Sequence, residues 1–483
     1  MKQPNAGSFS RCCRMLRLCF VMLAVGYSAA ILADDENENP ARAISARQLM
    51  TSQALPSLSG AVAPPAPGQV PEQLEISQAV QRAVAWHPDI TEAVGKLYQQ
   101  AEAVAVARAK YYPQIGAGMN NGMGNTTTKH GYNPSFVLSI SQMLYDFGKV
   151  SSSVRSAEAG VARQQAEVLV SIDTIAHDTA AAVVQVQGYQ QLVNIARQQL
   201  EALNKIGELA RKRNSEGASS LSDTVQTETR IEGARTTLTQ YQASLDRWRA
   251  TLATYLGWPA VRTVSNHFPA ALTRSCQVLQ PDDQLIPAVL AAWAQANQAQ
   301  AQLDNANAQM MPTLSLEPEV TRYLTDNYSN SSVLDRTQYT AYVRVQMPLY
   351  QGGGLTASRD AAAHALSSAS AAVRSAQLNA RQQLSEAQNE ALSLAQTLAI
   401  QTRQQQLGEK TRQLYQEQYL QLGTRPLLDV LNAEQEIFQS RFTEQQTISQ
   451  LRSLQLDCLY STGHMRSAFG LNNQTIQSIE IQP

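Results

Sequence analysis

Gly217-Ala218-Ser219-Ser220-Leu221-Ser222-Asp223 is matched by Gly423-Thr424-Arg425-Pro426-Leu427-Leu428-Asp429, at an offset of 206 residues (423 minus 217). The same offset relates further identical pairs downstream, such as Glu228 with Glu434 and Gly257 with Gly463. A repeat of this length lies well outside the roughly 20–50 residues of a solenoid unit. The sequence therefore predicts a duplicated half-protein with internal pseudo-twofold symmetry.

Landmarks upstream of these stretches locate an insertion. Leu144-Tyr145 recurs as Leu349-Tyr350 at an offset of 205 (349 minus 144), whereas Pro113 recurs as Pro312 at an offset of 199 (312 minus 113). The difference predicts six extra residues in a loop of the second copy.

Composition excludes one class of partner. The 483 residues carry a formal net charge of −1, with 16% charged and 6% aromatic residues. A chain without excess positive charge has no general electrostatic attraction to nucleic acid.

The N-terminus has the features of a secretory signal peptide at 1–33. Arg11, Arg14 and Arg17 precede an apolar run, and small residues then offer cleavage after Ala30 or Ala33. The alternative, an anchor that stays attached, fits less well because the apolar run is short. Residues 34–71 are acidic and then Pro-rich, which predicts a disordered segment.

Two of the five cysteines lie outside the signal peptide, Cys276 and Cys458. Two are too few for a disulfide scaffold. They could pair in an oxidising compartment, but we expect two separate thiols. No cysteine stands in a lipid-acceptor context near the expected cleavage sites.

Four short segments are predicted as strands, at 113–124, 135–145, 313–323 and 339–350. The first is rich in Gly, and the others alternate apolar and polar residues with the period of two that is typical of a strand. In the last, for example, Val343 and Val345 alternate with Arg344 and Gln346. The segments between them are rich in Asn, Thr, Ser and Asp, as exposed loops are.

Helices are predicted around these strands. One begins near Ser77 as N-cap, is interrupted at Pro88 and ends near Lys110. Long helical stretches at 149–214 and 355–421 would each span about 100 Å, and return helices follow. In 221–257 a seam of apolar residues steps by three and four, as in a coiled coil: Leu238, Tyr241, Leu245, Trp248, Leu252 and Tyr255.

The predicted organisation is two structural repeats. The first, 72–270, has a helix, strands 113–124 and 135–145, and a helical hairpin at 149–257. The second, 271–470, has a helix, strands 313–323 and 339–350, and a helical hairpin at 355–463. Residues 471–483 form a C-terminal tail.

Strands with one apolar and one polar wall point to a membrane pore. Beyond the signal peptide, no stretch approaches about 20 apolar residues, the length of a spanning helix. Open sheet edges are not tolerated in a bilayer, and four strands are half the minimum of about eight in single-chain barrels. We therefore expect several copies to share one barrel around a water-filled conduit, and no enzyme activity.

The paired strands, the Leu-Tyr-x-x-Gly landmarks and the Gly-x-x-x-Leu-x-Asp tips of the hairpins resemble the TolC family of outer-membrane export channels. The resemblance covers about 75–470. It implies a mainly α protein with a transmembrane β-barrel, in which a homotrimer forms a 12-stranded barrel and a periplasmic α-helical tunnel. It also implies contact with outer-membrane lipid, a periplasmic adaptor and an inner-membrane ABC transporter or proton antiporter.

The resemblance assigns roles to the tips of the hairpins. Gly217, Gly423, Thr424 and Pro426 form the turns. By this resemblance, Asp429 lines the periplasmic aperture and Arg425 is a latch that holds it closed. Asp223 is the equivalent acid of the first hairpin and a possible ionic partner of Arg425. Asn432 stands where relatives have a second Asp, so strong cation block is not expected. The alternative is that both Asp residues only stabilise helix N-termini.

Other candidate sites are weaker. Tyr111, Tyr112, Tyr145 and Tyr350 lie at strand ends, where an aromatic girdle at the membrane interface is expected, with ordinary corner packing as the alternative. Gly352-Gly353-Gly354 lacks the Lys of a phosphate loop. The six His residues show no metal-binding spacing. We expect no catalytic residue, cofactor or metal.

The function predicted from the sequence is an outer-membrane exit duct, with type I protein secretion favoured by the absence of a lipid-acceptor Cys. Small-molecule efflux is the alternative. A coiled-coil protein of the periplasm without a pore is a further alternative, which leaves the amphipathic strands unexplained.

Overall fold

The structure is a computed structural model that describes residues 43–45, 70–125, 130–277, 281–328 and 331–482. The signal peptide expected at 1–33 lies outside the described residues. So does the segment expected to be disordered, apart from 43–45 and 70–71.

The first half contains short strands, two helices, a strand hairpin and a long helical hairpin. Its elements are β1 (Ala43–Ser45), β2 (Gln73–Leu74), α1 (Ile76–Trp86), α2 (Pro88–Ala109), β3 (Gln114–Asn120), β4 (Met123–Asn125), β5 (His130–Tyr132), β6 (Ser135–Tyr145), α3 (Lys149–Ser215) and α4 (Leu221–Leu256).

The second half repeats this order after a short connection. Its elements are β7 (Thr263–Val264), α5 (Ala270–Thr273), a 3₁₀ turn (Ser275–Gln277), α6 (Pro287–Ala308), β8 (Thr313–Tyr323), β9 (Thr337–Gln346), α7 (Gly354–Glu417), a π-helical turn (Gln418–Leu422), α8 (Leu427–Ser461), α9 (Met465–Ala468), β10 (Gln474–Ile476) and β11 (Ile479–Gln482).

Helices α1 and α2 are separate, where the sequence predicted one interrupted helix with Ser77 as N-cap. The N-cap is Glu75, whose N–H donates to Oε1 of Gln78 at 3.3 Å. His87 is extended with ψ of 132°, because a residue before proline avoids the helical region. Pro88 then opens α2, where a missing N–H costs nothing.

A four-stranded antiparallel sheet joins the two halves in the order β3-β6-β8-β9. β6 pairs with β8 across the boundary between the repeats, so that Ser139 lies beside Glu319 and Glu319 beside Thr340. β9 ends at Gln346, before the predicted end at 350, and Pro348 has no N–H to extend the ladder.

The residues after 470 form the β10–β11 hairpin, on which β1 pairs in parallel with β11. Ile476, Ile479 and Ile481 are buried in the same core as α1. Strand β1 and the C-terminal hairpin therefore meet beside the helices.

Helix α3 is the centre of the helical part. It has 67 residues, about 100 Å at 1.5 Å per residue, and it packs against α2, α4, α6 and α8. Leu245 and Leu252 of the predicted seam are buried, and the other four seam residues pack against the core. A helix of this length is stable because neighbours cover it along its course.

Cys276 and Cys458 form a disulfide, so the expectation of two separate thiols was wrong. The 3₁₀ turn lies against α8: Oγ of Ser275 donates to the carbonyl of Gln455 at 2.6 Å. The two cysteines are 182 residues apart in sequence, and only the packing of this connection on α8 brings them together.

Removing this disulfide should destabilise the fold. A cross-link that closes so long a loop contributes about 2–5 kcal/mol. We expect the double variant Cys276→Ser/Cys458→Ser to lose this amount in urea unfolding of the detergent-solubilised protein, followed by helical circular dichroism. Reduced wild-type protein is the control and should match the variant. Equal midpoints for the variant and the oxidised wild type would contradict the assignment.

His177 links α3 to α8 beside the disulfide. Its Nε2 lies 2.7 Å from Oδ1 of Asp457, and its Nδ1 lies 3.0 Å from Oδ1 of Asp178. Burial lowers the pKa of His177, but the hydrogen bonds and charges of the two carboxylates raise it further, to about 9. Next to it, Asp173 and Arg466 form a buried ion pair at 2.7 Å.

This geometry makes stability depend on pH. Because the folded-state pKa of His177 lies above its ordinary value of 6.5, the stabilisation is complete below pH 6.5. It is lost as the pH rises through about 9, and it amounts to about 3 kcal/mol at most. We expect the difference in unfolding free energy between wild type and His177→Gln to shrink from pH 6 to pH 10. A difference independent of pH would show that His177 is not charged in the folded protein.

Candidate functional site at the hairpin tips

Each long helical hairpin ends in a short tip. The first tip joins α3 to α4 through residues 216–220, and the second joins the π-helical turn to α8 through residues 423–426. Gly217 and Gly423 have φ of +73° and +60°, a left-handed conformation that favours glycine after a helix end. Thr424 follows Gly423, and Pro426 is the N-cap of α8 with φ of −70°.

Arg425 holds the second tip closed on itself. Its Nη1 donates to Oδ2 of Asp429 at 2.9 Å, and its Nε donates to Oε1 of Gln418 at 3.0 Å. The guanidinium also lies 4.2 Å from the ring centroid of Tyr415. These contacts fasten the start of α8 to the end of α7. Asp429 lies in the first turn of α8, where a negative charge is also favoured by the helix dipole.

Asp223 is engaged within its own tip. Its Oδ2 accepts from Oγ of Ser219 at 2.8 Å and from the N–H of Ser220 at 3.3 Å, and its own N–H donates to Oγ of Ser220. This is a capping box. Within one chain, Arg425 therefore pairs with Asp429 rather than with Asp223.

Two contacts fasten one tip to the other. Nη1 of Arg213 donates to the carbonyl of Tyr419 at 3.2 Å, and its guanidinium lies 4.6 Å from the centroid of the Tyr419 ring. Oδ1 of Asn432 accepts from Nη2 of Arg230 at 3.2 Å. A shared apolar cluster lies between the hairpins, which includes Leu203, Ile231 and Leu431.

Arg213 and Tyr419 were not among the residues predicted from sequence. They are repeat-equivalent, since 419 minus 213 is again 206, and they meet where the two tips approach each other. The offset of 206 residues indicates which positions of the two tips are equivalent. Because Arg and Tyr are different residue types, this pair does not stand out as a repeat in the sequence. The π-helical turn that carries Tyr419 had no sequence signal that we recognised.

A glutamate that occurs at the same position in both hairpins differs in burial. Glu434 is fully buried, with Oε1 at 3.4 Å from Nη1 of Arg412 and Oε2 at 3.4 Å from Nε2 of Gln416. Burial raises its pKa, and the charge of Arg412 counteracts this. Its repeat equivalent, Glu228, is exposed and lies 3.7 Å from Arg211. The second hairpin therefore contains a buried charge where the first has an exposed one.

The predicted interface tyrosines lie at the end of the sheet that faces the helices. Tyr111 and Tyr112 precede β3, Tyr145 ends β6 and Tyr350 follows β9. All four are exposed, and the ring of Tyr145 lies 4.7 Å from that of Phe147.

Within the described ranges, no cluster of three or more His, Cys, Asp or Glu side chains could hold a metal ion. Among the described helices, none combines the length and the apolar character needed to cross a bilayer.

Comparison with known proteins gives matches in both halves. The sequence profile of a family described as "Outer membrane efflux protein" matches residues 79–258 and 284–457. Protein CyaE of Bordetella pertussis is 27% identical over 314 residues, 62% of this chain and 65% of CyaE, so the match spans slightly less than two thirds of that relative. Outer membrane efflux protein BepC of Brucella suis is 24% identical over 348 residues, 70% of this chain and 74% of BepC.

The fold also matches solved structures. The outer membrane protein VceC of Vibrio cholerae superposes with a TM-score of 0.68 at 18% identity, covering 80% of this chain and 96% of VceC. At this identity the likeness concerns the fold.

Proposed function

The chain belongs to the outer membrane efflux protein family, and from this premise we propose that three copies form an export duct with its periplasmic entrance at the hairpin tips. Its partners would be a periplasmic adaptor and an inner-membrane transporter. Family membership places the chain among outer-membrane channels rather than enzymes. It also removes the alternative of a coiled-coil protein without a pore.

The free edges of the sheet support a shared barrel. Within the described residues, β3 pairs only with β6 and β9 pairs only with β8. One face of β8 and β9 is apolar, with Leu316, Val320, Tyr339 and Val343, as a lipid-facing wall should be. If β9 of each copy pairs with β3 of the next, three sheets close into twelve strands and no edge remains. This single observation, a membrane-type sheet with two free edges, carries the proposal.

Helix α7 gives independent support. Its buried residues are confined to Ala369, Ala380, Leu384, Ala387 and Ala391. Ile400, Leu407 and Leu414, spaced by seven residues, are about half exposed or more at 69%, 54% and 46%. A heptad stripe of this kind is the seam of a coiled coil that lacks its partner. We infer that a helix of a neighbouring copy covers it, which extends the duct as a helical tunnel.

Type I protein secretion is the favoured system. It is favoured because no cysteine stands in a lipid-acceptor context near the expected cleavage sites after Ala30 or Ala33. The match to BepC, whose name describes an efflux protein, supports small-molecule efflux as the second candidate. The adaptor and pump would be those of the corresponding system, an ABC transporter for secretion or a proton antiporter for efflux.

A secretome comparison separates the two candidates. We expect a strain deleted for this protein to lose one large protein from its culture supernatant, and complementation to restore it. Quantitative mass spectrometry of supernatant proteins is the measurement. An unchanged set of secreted proteins, together with increased sensitivity to small toxic compounds, would contradict secretion and support efflux.

We propose that the tip residues gate the duct, with Asp429 and Asp223 at the aperture and Arg425 as latch. Each Arg425–Asp429 pair lies within one tip and contributes about 0–1 kcal/mol, so three tips together favour the closed conformation of the entrance by at most about 3 kcal/mol. Asp429→Ala should therefore raise single-channel conductance in planar bilayers, and more so with Asp223→Ala. Arg425→Ala should act in the same direction.

The control is Arg235→Ala. Arg235 forms a more exposed pair with Glu232 at 2.9 Å on α4, away from the tips, and its removal should leave conductance unchanged. If all variants conduct like the wild type, the aperture lies elsewhere.

A further inference from the structure

The polar face of the four-stranded sheet carries few charged side chains, and acidic ones outnumber basic ones. Register places Ser315, Glu317, Glu319 and Thr321 of β8 on one face, beside Arg344, Tyr342, Thr340 and Gln338 of β9. On β6 the same face continues with Val137 and Ser139. The strand residues of this face therefore hold two carboxylates and one guanidinium.

Glu317 is neutralised by its neighbour. Nε of Arg344 donates to Oε2 of Glu317 at 2.8 Å, and Oγ of Ser315 donates to Oε1 at 2.9 Å. Nη2 of Arg344 also donates to the hydroxyl of Tyr342 at 3.3 Å. The charge of Arg344 is therefore paired with that of Glu317.

Glu319 has no such neighbour. Its Oε1 accepts from Oγ1 of Thr321 at 3.0 Å, which orients the carboxylate without neutralising it. None of the described residues forms an ion pair with it. The cross-strand neighbours of Glu319 are Ser139 and Thr340, both uncharged.

We propose that Glu319 determines the ion selectivity of the membrane-spanning part of the duct. The inference rests on the proposed function, because only a shared barrel turns the polar face into a pore wall. Threefold symmetry then places three Glu319 carboxylates at one level, each uncompensated. A ring of one sign in a pore with low-dielectric walls concentrates cations and excludes anions.

The test is the reversal potential of single channels in planar bilayers under a KCl gradient. Wild type should be cation-selective, and Glu319→Gln should lower the permeability ratio of K⁺ to Cl⁻ by at least about two-fold. Glu319→Asp keeps the charge and should retain the wild-type ratio. Arg344→Gln is a control of opposite sign, because it frees the charge of Glu317 and should raise the ratio.

A second variant background distinguishes the effect of the Glu319 carboxylates from that of the carboxylates at the hairpin tips. In the Asp429→Ala/Asp223→Ala variant, where the tip carboxylates are absent, Glu319→Gln should still lower the ratio. A channel whose reversal potential is unchanged by Glu319→Gln in both backgrounds overturns the inference and leaves the proposed function standing. If wild-type protein forms no channel at all, the proposed function itself fails.

Discussion

Strands β3 and β9 each present a row of backbone N–H and C=O groups that has no partner in the described part of the chain. In a bilayer such groups cost several kcal/mol each unless they are paired. This constraint makes the single chain incomplete as a membrane structure. Closing the sheet through further copies would also place the polar faces around a water-filled lumen. The helices that follow each strand pair would then line a common tunnel.

The two repeats share one sequence pattern but differ in how their long helices are packed. In the first half, α3 lies at the centre of the helical part and packs against helices of both halves. In the second half, α7 has an exposed apolar stripe. Glu434 is buried while its equivalent Glu228 is exposed. Duplication therefore supplied the framework, and divergence at individual positions distinguished the face packed within the chain from the face proposed to lie between copies.

Local patterns predicted much of the architecture, because they depend on neighbouring residues. Period-two alternation placed strands where β6 and β8 are found, and the repeated Gly stretches located both tips. What failed depends on contacts that local periodicity does not specify. The pairing of Cys276 with Cys458 needs the connection to lie on α8. The contact of Arg425 with Gln418 needs a π-helical turn that no periodicity predicts. The roles proposed for the tip residues depend on neighbouring copies, which the local pattern does not specify.

The number of chains in the assembly is the most direct test of the central claim. The measurement is the mass of the intact complex, by native mass spectrometry of protein extracted from outer membranes in mild detergent. We expect a complex of three mature chains, because three four-stranded sheets close the barrel and the helices of neighbouring copies cover α7. A particle of one chain, with the sheet edges and α7 exposed, would contradict it.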